Sequence, residues 1–253
     1  MATIVFIHGL NTYGDDDIHI GPLKFGFMHS RLEAEFKALG HTFIAVTGLG
    51  YGTPEEQAER ALQQLPETPE IHLLGQSTGG LVSRVLAAHP ALASRVKTVM
   101  TIGTPHGGTV AAEFALNFPE KHPTLTRLFS VAGYDTRQKA EIFKRFTPQA
   151  MREFNEKYPI LSTYKAISLI CEVEREELSW PLQFFYKKLH PDSQKSDGLI
   201  WTESQRWGAE EGPFRLDHFT QLGFFPHFSR SARAESRREF RRLITCIDRS
   251  ITQ

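Results

Sequence analysis

The sequence predicts an α/β fold: a mostly parallel central sheet flanked by helices. Three observations point there. Through the first hundred residues, β runs that are apolar on both faces alternate with helical segments, as in a parallel sheet covered by helices. The stretch Gly75-Gln76-Ser77-Thr78-Gly79 stands between such a run and a helix. A helical, aromatic-rich segment from about 109 to 160 then interrupts the alternation before strand signals return.

Residues 3–7, TIVFI, are the first strand. Residues 23–39 read as a helix with Phe27, Leu32, Phe36 and Leu39 on one face and Gly40 as its stop. TFIAVT at 42–47 is the next strand, and Pro54 opens a helix to Leu65, because proline suits a first turn. Residues 71–74 are a strand, 79–88 a helix and 97–102 a strand. The interrupting segment carries Phe114, Phe118, Phe129, Tyr134, Phe143, Phe146 and Phe154, a composition that suits a packed layer as well as a cap over a pocket. Strand signals return at 163–170, 198–202 and 214–216, and a last helix covers 230–249. Its arginines alternate with Glu235 and Glu239, the pattern of a solvated helix face.

The chain of 253 residues is long enough for a buried core in a single domain. Lys+Arg and Asp+Glu are both 29, so neither nucleic acid nor an anionic membrane is indicated as the main partner. No apolar run is long enough to cross a bilayer, and MATIVFIHG lacks the basic start of a signal peptide, so the expected location is the cytoplasm. Cys171 and Cys246 have no metal-motif spacing and read as free, buried thiols.

The Gly-x-Ser-x-Gly stretch is weak as a motif and stronger in its setting. A serine at the tip of a tight strand-to-helix turn adopts strained backbone, so its neighbours two before and two after must be small. Gly75 and Gly79 meet that need, and the following helix N-terminus brings positive partial charge to where an oxyanion would form. No phosphate-loop lysine follows and no GxGxxG is present, so Ser77 reads as a nucleophile. A serine hydroxyl needs a base held by a carboxylate, and on this scaffold the acid precedes the histidine. His190, His218 and His227 follow the later strand signals, and His218, just past a short strand, is best placed as base. Asp197, in an Asp-Gly turn, is the candidate acid, with Asp192 and Asp217 as rivals. The oxyanion donors are the backbone amides of Thr78 and of Leu10, Gly9 allowing the first loop to come close. His8 reads as a brace for that loop, and His106 in TPHGG as a turn brace or a pocket-lining residue.

These residues together resemble the α/β-hydrolase superfamily, and within it the bacterial triacylglycerol lipases. The matches are FIHGL at 6–10, GQSTGG at 75–80, TIGTPHGGT at 101–109, FTPQAMREFNEKYP at 146–159, SDGLI at 196–200 and LDHF at 216–219, in the family's order. The resemblance implies Ser77, Asp197 and His218 as catalytic triad, Leu10 and Thr78 as oxyanion donors, and a lid over about 110–145. Two positions depart from it. Gln76 stands where the family often has histidine, and Thr220 stands where those lipases place a calcium-ligating aspartate, so no metal and no cofactor is expected. The expected activity is hydrolysis of small-molecule or lipid esters with an apolar acyl chain, with transient contact at a lipid interface. Thioesterase, phospholipase or acyltransferase chemistry would use the same triad, and a non-catalytic acyl-lipid binding protein would keep its outline. Substrate-binding residues and oligomeric state are not legible.

Overall fold

The computed structural model describes residues 1–9, 12–13, 17–20, 23–25, 29–50, 52–109, 112, 144–180, 182–183 and 195–253. Nine strands and five α-helices fall among them. The strands are β1 (Thr3–Ile7), β2 (Thr12–Tyr13), β3 (Asp17–Ile20), β4 (Leu23–Phe25), β5 (Thr42–Val46), β6 (Ile71–Gln76), β7 (Val96–Ile102), β8 (Lys165–Cys171) and β9 (Ala209–Phe214). The helices are α1 (Ser30–Ala38), α2 (Pro54–Leu62), α3 (Gly79–Ala88), α4 (Pro148–Lys157) and α5 (Arg230–Thr252). Six strands form one parallel sheet in the order β5-β1-β6-β7-β8-β9, and β2-β3-β4 form a small antiparallel one.

The pleat sends alternate residues of each strand to opposite faces. Ile4 and Phe6 of β1, Leu74 of β6 and Met100 of β7 join Leu32 and Phe36 of α1 and Phe240, Leu243 and Ile247 of α5 in one core. Val5, Ile7, Leu73 and Val99 join Ala58 and Ala61 of α2 and Val82 and Leu86 of α3 in the other. Both faces of the sheet are therefore covered, which is why its strands read as continuous apolar runs. Thr53 caps α2 in a capping box: its Oγ1 accepts from the Glu56 amide at 3.1 Å, and its own N–H donates to the Glu56 carboxylate at 2.8 Å.

Three elements differ from the sequence reading. The helix expected over 23–39 starts at Ser30, and Leu23–Phe25 pair with β3 instead. No strand forms over 198–202. There Asp197 Oδ1 accepts from the amides of Leu199 (3.0 Å) and Ile200 (2.7 Å), so local side-chain bonds replace a ladder, and a 3-10 turn follows at Thr202–Gln205. The last strand lies at 209–214, slightly before its expected place. Of the segment expected to be a lid, about 110–145, residues 110–143 apart from Ala112 lie outside the described residues.

Candidate active site

The site residues gather at the C-terminal end of the parallel sheet. Ser77 directly follows β6, its N–H donating to Ile102 O of β7 at 2.8 Å. Its φ is 54°, and among the described residues it is the only non-glycine with positive φ. Such strain persists only where the surroundings over-determine it. Those surroundings are the glycines. A Cβ on Gly75 would lie 2.4 Å from Gly80 Cα, and one on Gly79 would lie 2.1 Å from Ile7 O. A Cβ on Gly9 would lie 2.5 Å from Ser77 Cβ and 2.9 Å from its Oγ, so the loop after β1 crosses directly over the serine. Thr78 is buried and forms the N-cap of α3. Leu10 lies outside the described residues. The His8 ring meets Gly9 O at 3.2 Å, within that same loop.

Asp197 and His218 come together from loops after β8 and β9. Asp197 is fully buried, in a turn that Gly198 completes with φ 93°. His218 Nδ1 lies 2.8 Å from Asp197 Oδ2, and the His218 backbone N–H donates to Asp197 O at 2.9 Å. A carboxylate only accepts, so Nδ1 carries the hydrogen, which in the neutral ring leaves the lone pair on Nε2. His218 Nε2 lies 3.4 Å from Gln76 Nε2, and among the described residues no hydrogen bond joins it to Ser77 Oγ.

Two of the rivals, Asp217 and His227, are engaged elsewhere. Asp217 is buried, but its oxygens accept from backbone amides: Ser179 at 2.6 Å on Oδ2, Phe219 at 3.1 Å and Thr220 at 2.9 Å on Oδ1. It is a cap for its own turn. His227 Nε2 meets Ser236 Oγ at 3.0 Å, away from Asp197. Asp192 and His190 lie outside the described residues.

Two residues beside the site carry more than the sequence suggested. Gln221 is fully buried, and its Nε2 donates to Asp197 Oδ2 at 2.7 Å. No motif marks it; the available signal was only its place about one turn beyond His218. Gln76 Nε2 donates to Gln221 Oε1 at 3.2 Å and to His218 O at 3.3 Å. His106 proves to be a brace. Its ring lies 3.0 Å from Arg84 Nη1 through Nδ1 and 3.1 Å from Thr101 Oγ1 through Nε2, and it stacks on Trp207. Burial, and then the Arg84 charge, holds its pKa well below the ordinary histidine value, so the ring is neutral and accepts from Arg84.

The comparisons agree with this architecture. A family model described as the PGAP1-like alpha/beta domain matches residues 56–122, the stretch that holds β6, the Ser77 turn and α3. The Staphylococcus hyicus lipase superposes with TM-score 0.69 at 12% identity, over 100% of this chain and 97% of that one. The metagenomic carboxyl esterase MGS0156 gives 0.65 at 18%, over 94% and 75%. The Bacillus licheniformis lipase BlEst2 in its mature form gives 0.63 at 17%, over 96% and 91%. At such identities the likeness is one of fold. The chain has the α/β-hydrolase fold, and it resembles the lipases and esterases built on it.

Proposed function

We propose that the protein is a serine hydrolase of carboxylic esters. His218 Nε2 takes the Ser77 proton as Oγ attacks the ester carbonyl carbon, while Asp197 holds the imidazole in the required tautomer. The oxyanion accepts from the amides of Thr78 and Leu10. The intermediate collapses, the alcohol leaves with the proton from His218, and an acyl-enzyme remains on Ser77. Water, deprotonated by the same Nε2, then releases the acid. One observation carries this reading: the 2.8 Å Asp197–His218 bond at the sheet end where Ser77, alone among the described non-glycine residues, holds a positive φ.

An apolar acyl chain is the substrate this reading favours, because the segment between β7 and α4 is rich in phenylalanine and pockets for such chains are apolar. That segment, over about 110–145, would serve as a lid. A fluorophosphonate probe should label Ser77, read by mass spectrometry of the labelled peptide, and labelling of any other residue, or none, contradicts the reading. A chain-length series of ester and thioester substrates then assigns the substrate class. A thioester preference would make the same machinery a thioesterase.

A further inference from the structure

We propose that Gln76 and Gln221 form an amide bridge that positions Asp197 and His218 as a pair, closing a ring of hydrogen bonds around them. The inference rests on the serine-hydrolase reading for its meaning in catalysis. The ring has four bonds. Gln221 Nε2 donates to Asp197 Oδ2 (2.7 Å), Gln76 Nε2 donates to Gln221 Oε1 (3.2 Å) and to His218 O (3.3 Å), and His218 Nδ1 donates to Asp197 Oδ2 (2.8 Å).

The direction of every bond follows from one member. The carboxylate accepts only, so Gln221 must turn its NH2 toward it and its carbonyl toward Gln76. Gln76 must therefore present its own NH2, and the two hydrogens there have two carbonyl acceptors. His218 Nε2, 3.4 Å from the same nitrogen, keeps its lone pair for the serine proton. A histidine at position 76 has no NH2 with which to reach two carbonyls at once. The departure at Gln76 and the unforeseen Gln221 are thus one device.

The ring is built into the fold. Gln76, Gln221, Asp197 and His218 are all buried, where an unpaired amide or carboxylate is costly. Gly103, at the end of β7 with φ +55°, leaves the room: a Cβ there would lie 2.6 Å from Asp197 Oδ2 and from Gln221 Oε1. Gln76 Nε2 lies near His218 Nε2 but gives its two hydrogens to carbonyls, and Gln221 touches Asp197, so both act through the acid and the base, as positioning residues. The titratable groups around position 221 are Asp197, His218, the adjacent Asp217, Cys171 of β8 and, farther off, Glu239 of α5. Burial and then the charges of Asp197 and Asp217 push the Cys171 thiol well up, so it stays neutral.

Gln221→Glu is the sharpest test, because the introduced carboxyl can replace the amide only while protonated: its O–H donates to Asp197 and its other oxygen accepts from Gln76. Burial beside Asp197 raises its pKa. At low pH the variant should match wild-type kcat/KM, and at higher pH it should lose activity on a new alkaline limb that wild type lacks. Gln221→Leu and Gln76→Leu should lower kcat by about 10- to 100-fold, as outer partners of a site do, with KM within about twofold where the mechanism loses geometry and not binding. Thermal melts check that each variant folds. In parallel, NMR of the His218 ring follows its tautomer and titration without any turnover, and both should change in Gln221→Leu. If Gln221→Glu shows the wild-type pH profile, or Gln221→Leu keeps kcat and an unchanged His218 ring, the bridge is refuted. If wild type hydrolyses no ester yet the ring signals change, the hydrolase reading fails and the bridge stands.

Discussion

Asp197 and Asp217 are both buried aspartates within reach of the same turn, and their hydrogen bonds set them apart. Asp197 spends one oxygen on its own turn and gives the other to His218 and Gln221, whereas Asp217 gives both to backbone amides. Asp197→Asn should therefore lower ester turnover by about 10⁴-fold, the cost of holding the wrong tautomer in a serine triad. Asp217→Asn should leave the pH profile of kcat alone and reduce unfolding free energy by about 1–3 kcal/mol, because the amide cannot accept on both sides. Urea unfolding with turnover on the same samples separates the two outcomes. At this scale Ser77, Asp197 and His218 were legible because each sits in a turn with a signature: flanking glycines, Asp-Gly, or a strand end. Gln221 was not, because a glutamine in a short turn carries no periodicity and its role appears only when β6, β7 and the two loops are brought together.

Among the elements, β1 and α3 were legible to the residue, because an unbroken apolar run and a glycine pair mark their ends. The failures lie at 198–202, where local side-chain bonding competes with the pattern, and at 23–25, which pair with β3 as a strand. The junction of α3, the loop after β7 and α4 was not legible either, since it depends on one buried cation. Arg84 is buried, and among the described residues no carboxylate pairs with it: it donates to Asn155 Oδ1 (2.7 Å), Tyr158 O (2.5 Å) and His106 Nδ1 (3.0 Å), and lies over the rings of Phe154 and Trp207. Burial pushes its guanidinium down to about 10, so it remains charged at neutral pH. Arg84→Met keeps much of the volume but leaves three acceptors without a donor, at about 1–3 kcal/mol for each that water does not reach. The expected result is a stability loss of about 2–4 kcal/mol and faster amide exchange in α4 than in α5, read by hydrogen–deuterium exchange. Unchanged exchange in α4 would show that the helix is held by packing alone.

At the scale of the whole molecule, burial holds three histidine rings among the described residues below the ordinary value: His72, His106 and His227. The unfolded chain binds protons at these rings as pH falls through about 6.5, while the folded protein does not until lower pH. Protons thus favour the unfolded state, and stability should fall as pH drops below that value, by up to about 1.4 kcal/mol per pH unit for each ring. His106→Gln should remove about one ring's share of that slope between about pH 5 and 6, seen in denaturant midpoints; an unaltered slope would mean the ring is protonated in the fold.

The same scale holds the main claim, that a sheet covered on both faces brings residues 77, 197 and 218 into one catalytic unit. Turnover of a p-nitrophenyl ester by wild type and by Ser77→Ala measures it most directly. Loss of a triad serine costs on the order of 10⁶-fold, with a residual rate from oxyanion hole and binding, and a fall of that size is the expected result. A Ser77→Ala protein that is folded and turns over at the wild-type rate contradicts a nucleophile at Ser77.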